Sequence, residues 1–134
     1  MITHLGTVFV PVADQDAALG FYIGVLGFEP RGDWPYGGGA HRWVEVAPAG
    51  STVALALVPP TEGRSAGGDV VRCAFGVTDL AVEHARLVAA GVAVDPLGPA
   101  RPGLVSRDVT VEGLLPAQVA FRDPDGNRFL LVQT

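Results

Sequence analysis

An α+β fold made of two βαβββ modules is predicted for this 134-residue chain by three observations. Residues 5 to 28, LGTVFVPVADQDAALGFYIGVLGF, and residues 70 to 95, VVRCAFGVTDLAVEHARLVAAGVAVD, share one order of features. In each, a β-prone run leads to an Asp suited to open a helix (Asp14, Asp79), then to about three turns of Ala- and Leu-rich helix, then to a Gly suited to the position just past its end (Gly27, Gly91). Aligning Asp14 with Asp79 gives a period of 65, so the chain reads as two copies of strand, helix, then strands. The third observation is the closing stretch FRDPDGNRFLLVQT, in which two apolar runs flank a compact turn signal.

Taken in order, the first module comprises a strand ending near Val12, the helix opened by Asp14, and strands at 28–31, 42–46 and 52–58. The segment GDWPYGGGAHRW (32–43) is expected to be a flexible connection, because Gly and Pro interrupt it. Gly20 and Gly24 each cost roughly 1 kcal/mol of helix propensity relative to Ala, so they are expected to serve close helix packing. The linker PPTEGRSAGGD (59–69) is expected to be exposed and mobile. The second module, 70–134, repeats the order with strands at 92–94, 118–122 and 128–133, and with residues 1–58 it is expected to form one compact domain. In the D-P-D-G-N turn, Asp123, Asp125 and Asn127 bring to mind a calcium loop, but the sixth and twelfth positions hold Arg128 and Thr134 where Gly and a bidentate carboxylate are required. A hairpin turn fits instead: Pro124 presets φ, Gly126 accepts a positive φ and Asp123 bonds the backbone.

Composition narrows the partners. The net charge is -5 and all nine basic residues are Arg, scattered without a run, so no nucleic-acid footprint is present. No stretch approaches the roughly 20 apolar residues that span a bilayer, no leader pattern marks the start, and the single Cys73 forms no intrachain disulfide. A cytoplasmic protein with no membrane partner is expected. Hydrophobic residues at 49% against 17% charged point to surface hidden in a homodimer.

The stretches VPVADQDAALGFYIGVLGFEP, FGVTDLAVEHARLVAAGVAV and FRDPDGNRFLLV resemble the vicinal oxygen chelate superfamily, which includes glyoxalase I, extradiol dioxygenases and the bleomycin- and fosfomycin-resistance proteins. The resemblance implies paired βαβββ modules whose curled mixed sheets enclose a small-molecule cavity, often formed between subunits in short chains. It also implies four strand positions that hold a divalent metal in the family's enzymes. Here they fall on Thr7, on Ala54 or Ala56, on Arg72 and on Leu130. Alkyl groups donate no lone pair and a guanidinium repels a cation, so neither metal nor any other cofactor is expected.

Strand alternation sorts the remaining candidates. Val8, Val10, Val12, Val53, Leu55, Leu57, Cys73, Phe75 and Val77 face the helices; Thr7, Phe9, Ala54, Ala56, Arg72, Ala74 and Gly76 face the cavity. This wall either leaves room for a partly apolar ligand, met by Arg72 as anion or carbonyl anchor, or lets two surfaces approach closely with Arg72 in an internal ion pair. Trp34 and Tyr36 either form a lid over a flat ligand or fold back on the protein, and Trp43 is expected to pack. His41 and Glu45 share a strand face and, with His4, make an alternative metal seat. His84 is expected to be structural and Cys73 a core residue.

The sequence leaves three functions open: a metal-independent protein that binds or sequesters an antibiotic or natural product; a metal-dependent or metal-free lyase, isomerase or dioxygenase; and an interaction module with a filled cavity. Fold alone does not choose among them.

Overall fold

The computed structural model describes residues 1–97 and 117–134. The chain divides into two compact units, Met1–Gly67 and Gly68–Thr134.

In the first unit the chain runs β1 (Thr7–Pro11), α1 (Gln15–Leu19), β2 (Glu29–Tyr36), β3 (His41–Ala47) and β4 (Ala54–Val58), and the sheet order is β1-β4-β3-β2. The β1–β4 pair is parallel and the others are antiparallel, so the sheet is mixed. Val10, Val12, Leu55, Leu57, Val44 and Val46 are buried on one face against Ala18, Phe21 and Tyr22 of the helical segment. Burial of each such side chain contributes roughly 1.5 to 3 kcal/mol.

Asp14 caps α1 by accepting from the Ala17 N–H at 3.0 Å, which satisfies one of the orphan donors of a helix start. The three-turn helix expected from the sequence is remodelled: after Leu19 the chain widens into a π-helical stretch over Gly20–Val25. The Leu26 N–H bonds the Phe21 carbonyl at 3.0 Å, five residues back. Gly20 and Gly24 do not serve close packing, since a Cβ at either meets no heavy atom within 4 Å. The Gln15 amide joins the helix start to the sheet, donating to the carbonyls of Arg42 at 2.7 Å and Leu57 at 2.9 Å.

The segment at 32–43 is not the flexible connection expected. It is the far half of a hairpin, with β2 continuous to Tyr36 and paired to β3 from Glu29↔Ala47 to Tyr36↔His41. Pro30 and Pro35 are tolerated because β2 is an edge strand, where a missing N–H need not remove a ladder bond. Gly37, Gly38 and Gly39, all at positive φ, make the reversal.

The second unit runs β5 (Val71–Val77), α2 (Leu80–Ala89), β6 (Ala93–Val94), β7 (Gln118–Arg122) and β8 (Arg128–Gln133), in sheet order β5-β8-β7-β6. Asp79 caps α2 through the Val82 N–H at 3.1 Å. Phe75, Phe121 and Phe129 stack beneath α2 with ring centroids 5.3 to 6.2 Å apart. The His84 Nε2 lies 2.8 Å from the Asp95 carbonyl.

The D-P-D-G-N segment is a hairpin turn. The Asp123 carboxylate accepts from the backbone N–H groups of Asp125 at 3.0 Å and Asn127 at 2.9 Å and from the Asn127 amide at 2.9 Å. Asp123 and Asn127 are buried. Its acceptor sites are thus taken up by the turn itself.

Candidate functional site

The face of the first sheet turned away from α1 carries the candidate site. Cross-strand pairing builds it in rows: Phe9, Ala56, Glu45 and Gly32 form one, and Trp43 pairs with Trp34 in the next. His41 pairs with Tyr36 beyond them. These residues alternate with buried Val44, Val46, Leu55 and Leu57, which turn the other way.

Aromatic rings meet across this face. Phe9 and Trp43 make an edge-to-face contact at 5.8 Å. Because β1 and β3 both flank β4, the two rings converge over Ala56, which is fully buried. Trp34 stacks on Trp43 at 6.3 Å, Tyr36 meets Trp43 at 6.5 Å, and Tyr36 stacks on His41 at 5.1 Å. Yet Phe9, Trp34 and Tyr36 remain 44%, 47% and 43% exposed, so this aromatic shelf still offers ring surface. Two polar groups frame it. The Glu45 carboxylate accepts the Thr7 hydroxyl at 3.3 Å, and the Arg64 guanidinium lies 5.6 Å from the Phe9 ring centroid.

The structure therefore brings Thr7, Phe9, Trp34, Tyr36, Ala54 and Ala56 onto one face, with Ala56 as floor and the rings above it. Trp43 packs against Phe9, Trp34 and Tyr36 and is the hub of the shelf. The alternation of Trp43 and Glu45 with Val44 and Val46 carries that signal in the sequence. Register also resolves the Ala54/Ala56 ambiguity: Phe9 pairs with Ala56, and Ala74, offset by 65, pairs with Leu130. Ala56 and Leu130 are thus the equivalent positions.

In the second unit, Ala74 and Leu130 lie on the sheet face that also carries Ala120, Arg122 and Arg128. A cleft of about 470 Å³ is lined there by Asp69, Ala93, Asp95, Arg122 and Arg128 among others. Arg122 is committed to structure: it bonds the Gly68 and Gly126 carbonyls at 2.6 and 2.7 Å and pairs with Asp69 at 3.1 Å. Arg72 occupies an irregularity in the β5–β8 register between Val71 and Ala74, where three steps on β5 match two on β8. Simple alternation does not carry from Ala74 back to Arg72 across such a bulge. Arg72 is half-buried.

The donor set at the four equivalent strand positions, Thr7, Ala56, Arg72 and Leu130, offers one hydroxyl and no imidazole, carboxylate or thiolate, and does not fit a divalent metal. The alternative seat is not assembled either. His41 and Glu45 share a face of β3 but lie four residues, roughly 13 Å, apart along it. His4 sits in the exposed N-terminal stretch with its Nδ1 2.8 Å from the Thr3 hydroxyl. Among the described residues no three His, Cys, Asp or Glu side chains converge.

The family model described as the Glyoxalase/Bleomycin resistance protein/Dioxygenase superfamily matches residues 2–131. The chain belongs to this superfamily. YetH of Bacillus subtilis (strain 168), an uncharacterized protein, is 31% identical over 131 residues, covering 98% of each chain. TnmS3, an antibiotic binding protein from Streptomyces sp. CB03234, is 32% identical with a TM-score of 0.78, covering 98% of this chain and 96% of its own. A superfamily member from Sphaerobacter thermophilus DSM 20745 is 28% identical with a TM-score of 0.79, covering 99% and 98%. Two four-stranded mixed sheets, unclosed into a barrel, are the architecture this superfamily member shares with its relatives. No described helix is long and apolar enough to cross a membrane.

Proposed function

We propose that this superfamily member is a metal-independent small-molecule binding protein that sequesters an antibiotic or natural product on the aromatic shelf of its first unit. One observation carries the reading: Phe9, Trp34, Tyr36 and Trp43 gather on a single sheet face, and the first three keep ring surface exposed. Stacking surfaces of this kind suit flat, partly apolar ligands. The likeness to TnmS3, an antibiotic binding protein, supports the ligand class. The unsuitable donor set supports metal independence.

Both tryptophans of the chain lie on the shelf, so indole fluorescence reports on the proposed site alone. Titration with a panel of planar natural-product antibiotics is expected to quench that emission saturably and raise thermal stability in proportion to ln(1 + [L]/Kd). Quenching without saturation across the panel would count against the assignment. After equilibration with Ni²⁺, Fe²⁺, Zn²⁺ or Mn²⁺, elemental analysis is expected to find substoichiometric metal. One tightly held ion per subunit would transfer the site to metal-dependent lyase, isomerase or dioxygenase chemistry.

We further propose a homodimer in the cytoplasm. Val82 and Val88, exposed apolar residues on α2 and outside the shelf, favour association. Light scattering at micromolar concentration is expected to give twice the chain mass, and a monomeric mass would refute it.

A further inference from the structure

The linker supplies a residue that strand arithmetic does not reach. Thr61 and Arg64 exchange both backbone bonds, each at 2.9 Å, and Gly63 between them has φ 77°. A positive φ at the third residue is what a type II turn requires. This closed turn presents the Arg64 guanidinium to the Phe9 ring at 5.6 Å. Its Nε is buried with no hydrogen-bond partner among the described residues, and none of the ion pairs among those residues includes Arg64. A guanidinium is a planar fork of donors that never loses its charge, and a donor withdrawn from water without an acceptor is destabilising. The group beneath it, Phe9, supplies a π face but no oxygen. Two strand spacings along the same cross-strand row, roughly 10 Å from Phe9, stands Glu45. Its carboxylate already accepts from Thr7. The shelf is therefore polar in one sense only: an unmet cation at its β1 edge, a partnered anion at β3.

We infer that Arg64 determines specificity on the shelf by selecting a planar aromatic ligand that bears an anionic oxygen group, such as a carboxylate, sulfonate or phenolate, at its β1 edge. This rests on the shelf being the binding surface proposed above. The ligand's rings lie on exposed aromatic surface while its oxygens take donors of the Arg64 guanidinium.

Three naphthalenes of one shape test this: naphthalene-2-sulfonate, the neutral naphthalene-2-sulfonamide and the cationic 2-naphthylmethylammonium, each titrated into ¹⁵N-labelled protein while the two indole N–H resonances are followed. Wild type is expected to bind the sulfonate about tenfold more tightly than the sulfonamide, the scale of one charge-assisted hydrogen bond. Arg64→Gln is expected to abolish that preference, sulfonate affinity falling to that of the sulfonamide, while the dispersion of the ¹⁵N spectrum shows that the variant is folded. Arg64→Lys is expected to restore part of the preference, since it keeps the charge and loses the fork. Equal binding of sulfonate and sulfonamide by wild type overturns the inference and leaves the shelf as binding surface. So does an equal loss of all three ligands in Arg64→Gln, which would make Arg64 a structural prop, and so does tightest binding of the ammonium, which would give selection to Glu45. If no probe moves either indole signal, the shelf reading falls and the inference falls with it.

Discussion

The indole of Trp34 lies folded back over the backbone of Gly32, so that a Cβ at position 32 would stand 2.0 Å from Cζ3 of the ring. Glycine is needed here for space. The absence of a side chain lets the edge strand carry its indole down onto the sheet, where it reaches Trp43. The register shift between Pro30 and Gly32 adjusts the strand just before this point.

Gly32→Ala is accordingly expected to drive Trp34 off the shelf. Because Trp34 is already half exposed, unfolding stability should change by no more than about 1 kcal/mol. The Trp34 indole resonance should shift strongly and affinity for planar ligands should fall several-fold. Unchanged affinity would remove Trp34 from the binding surface.

On the reverse of the same hairpin, Arg42 holds both oxygens of Asp33 at 2.7 and 2.6 Å and one of Asp16 at 2.7 Å, tying β2 and β3 to α1. The hydrogen bonds from Arg42 hold the Asp33 carboxyl below its ordinary value. A depressed folded pKa contributes stability that is present above the unfolded value near 4 and lost as pH falls through the folded value. Acidification from about pH 6 to about pH 3 should therefore loosen the hairpin in wild type, read as converging Trp34 and Trp43 signals. Asp33→Asn should flatten that acid dependence, and an identical titration in the variant would refute the link.

Burial pushes the Cys73 thiol up to about 11. At pH 8 the nucleophilic thiolate is then scarce, and alkylation by iodoacetamide should run about two orders of magnitude slower than for a free thiol. Denaturant should restore the free-thiol rate, as followed by mass spectrometry. Rapid modification of the native protein would contradict the burial of this thiol.

Gly20 has φ -58° and ψ -38°, ordinary right-handed helical values, and its missing side chain would meet open space. Gly20→Ala should raise stability by about 0.5 to 1 kcal/mol, by restricting the unfolded chain and restoring helix propensity. Denaturant unfolding measures this directly. A loss of stability would mean that the passage from α to π winding at this residue depends on glycine.

Local chemistry made most of the fold legible. Asp14 and Asp79 cap where a carboxylate before an Ala-rich run should, Gly27 and Gly91 follow their helices with φ 77°, and the Asp123 turn closes the last hairpin. What escaped depended on neighbours distant in sequence. The length of β2 was hidden because Gly32, Pro35 and Gly37 read as loop residues, and only its place at the sheet edge makes Pro35 acceptable. The alternation of Trp43 with Val44 and Val46 gives its face, but not the rings of Phe9, Trp34 and Tyr36 that gather round it. Arg64 was not readable at all, since its position over Phe9 follows from a turn in a linker whose composition says only Pro, Gly and Ser. The bulge after Val71 shows the complementary hazard: one inserted residue removes the parity on which the facing of Arg72 was reckoned.

The two prolines of β2 bear on more than its length. A sheet border with free amide hydrogens is a template on which other chains can polymerise, and a sequence this apolar is exposed to that hazard. Pro30 and Pro35 each withhold a donor from the border strand of the first sheet. Propagation of this sheet by addition of a foreign strand is thereby discouraged, and the protein keeps its aromatic surface available without inviting amyloid-like growth along the same edge.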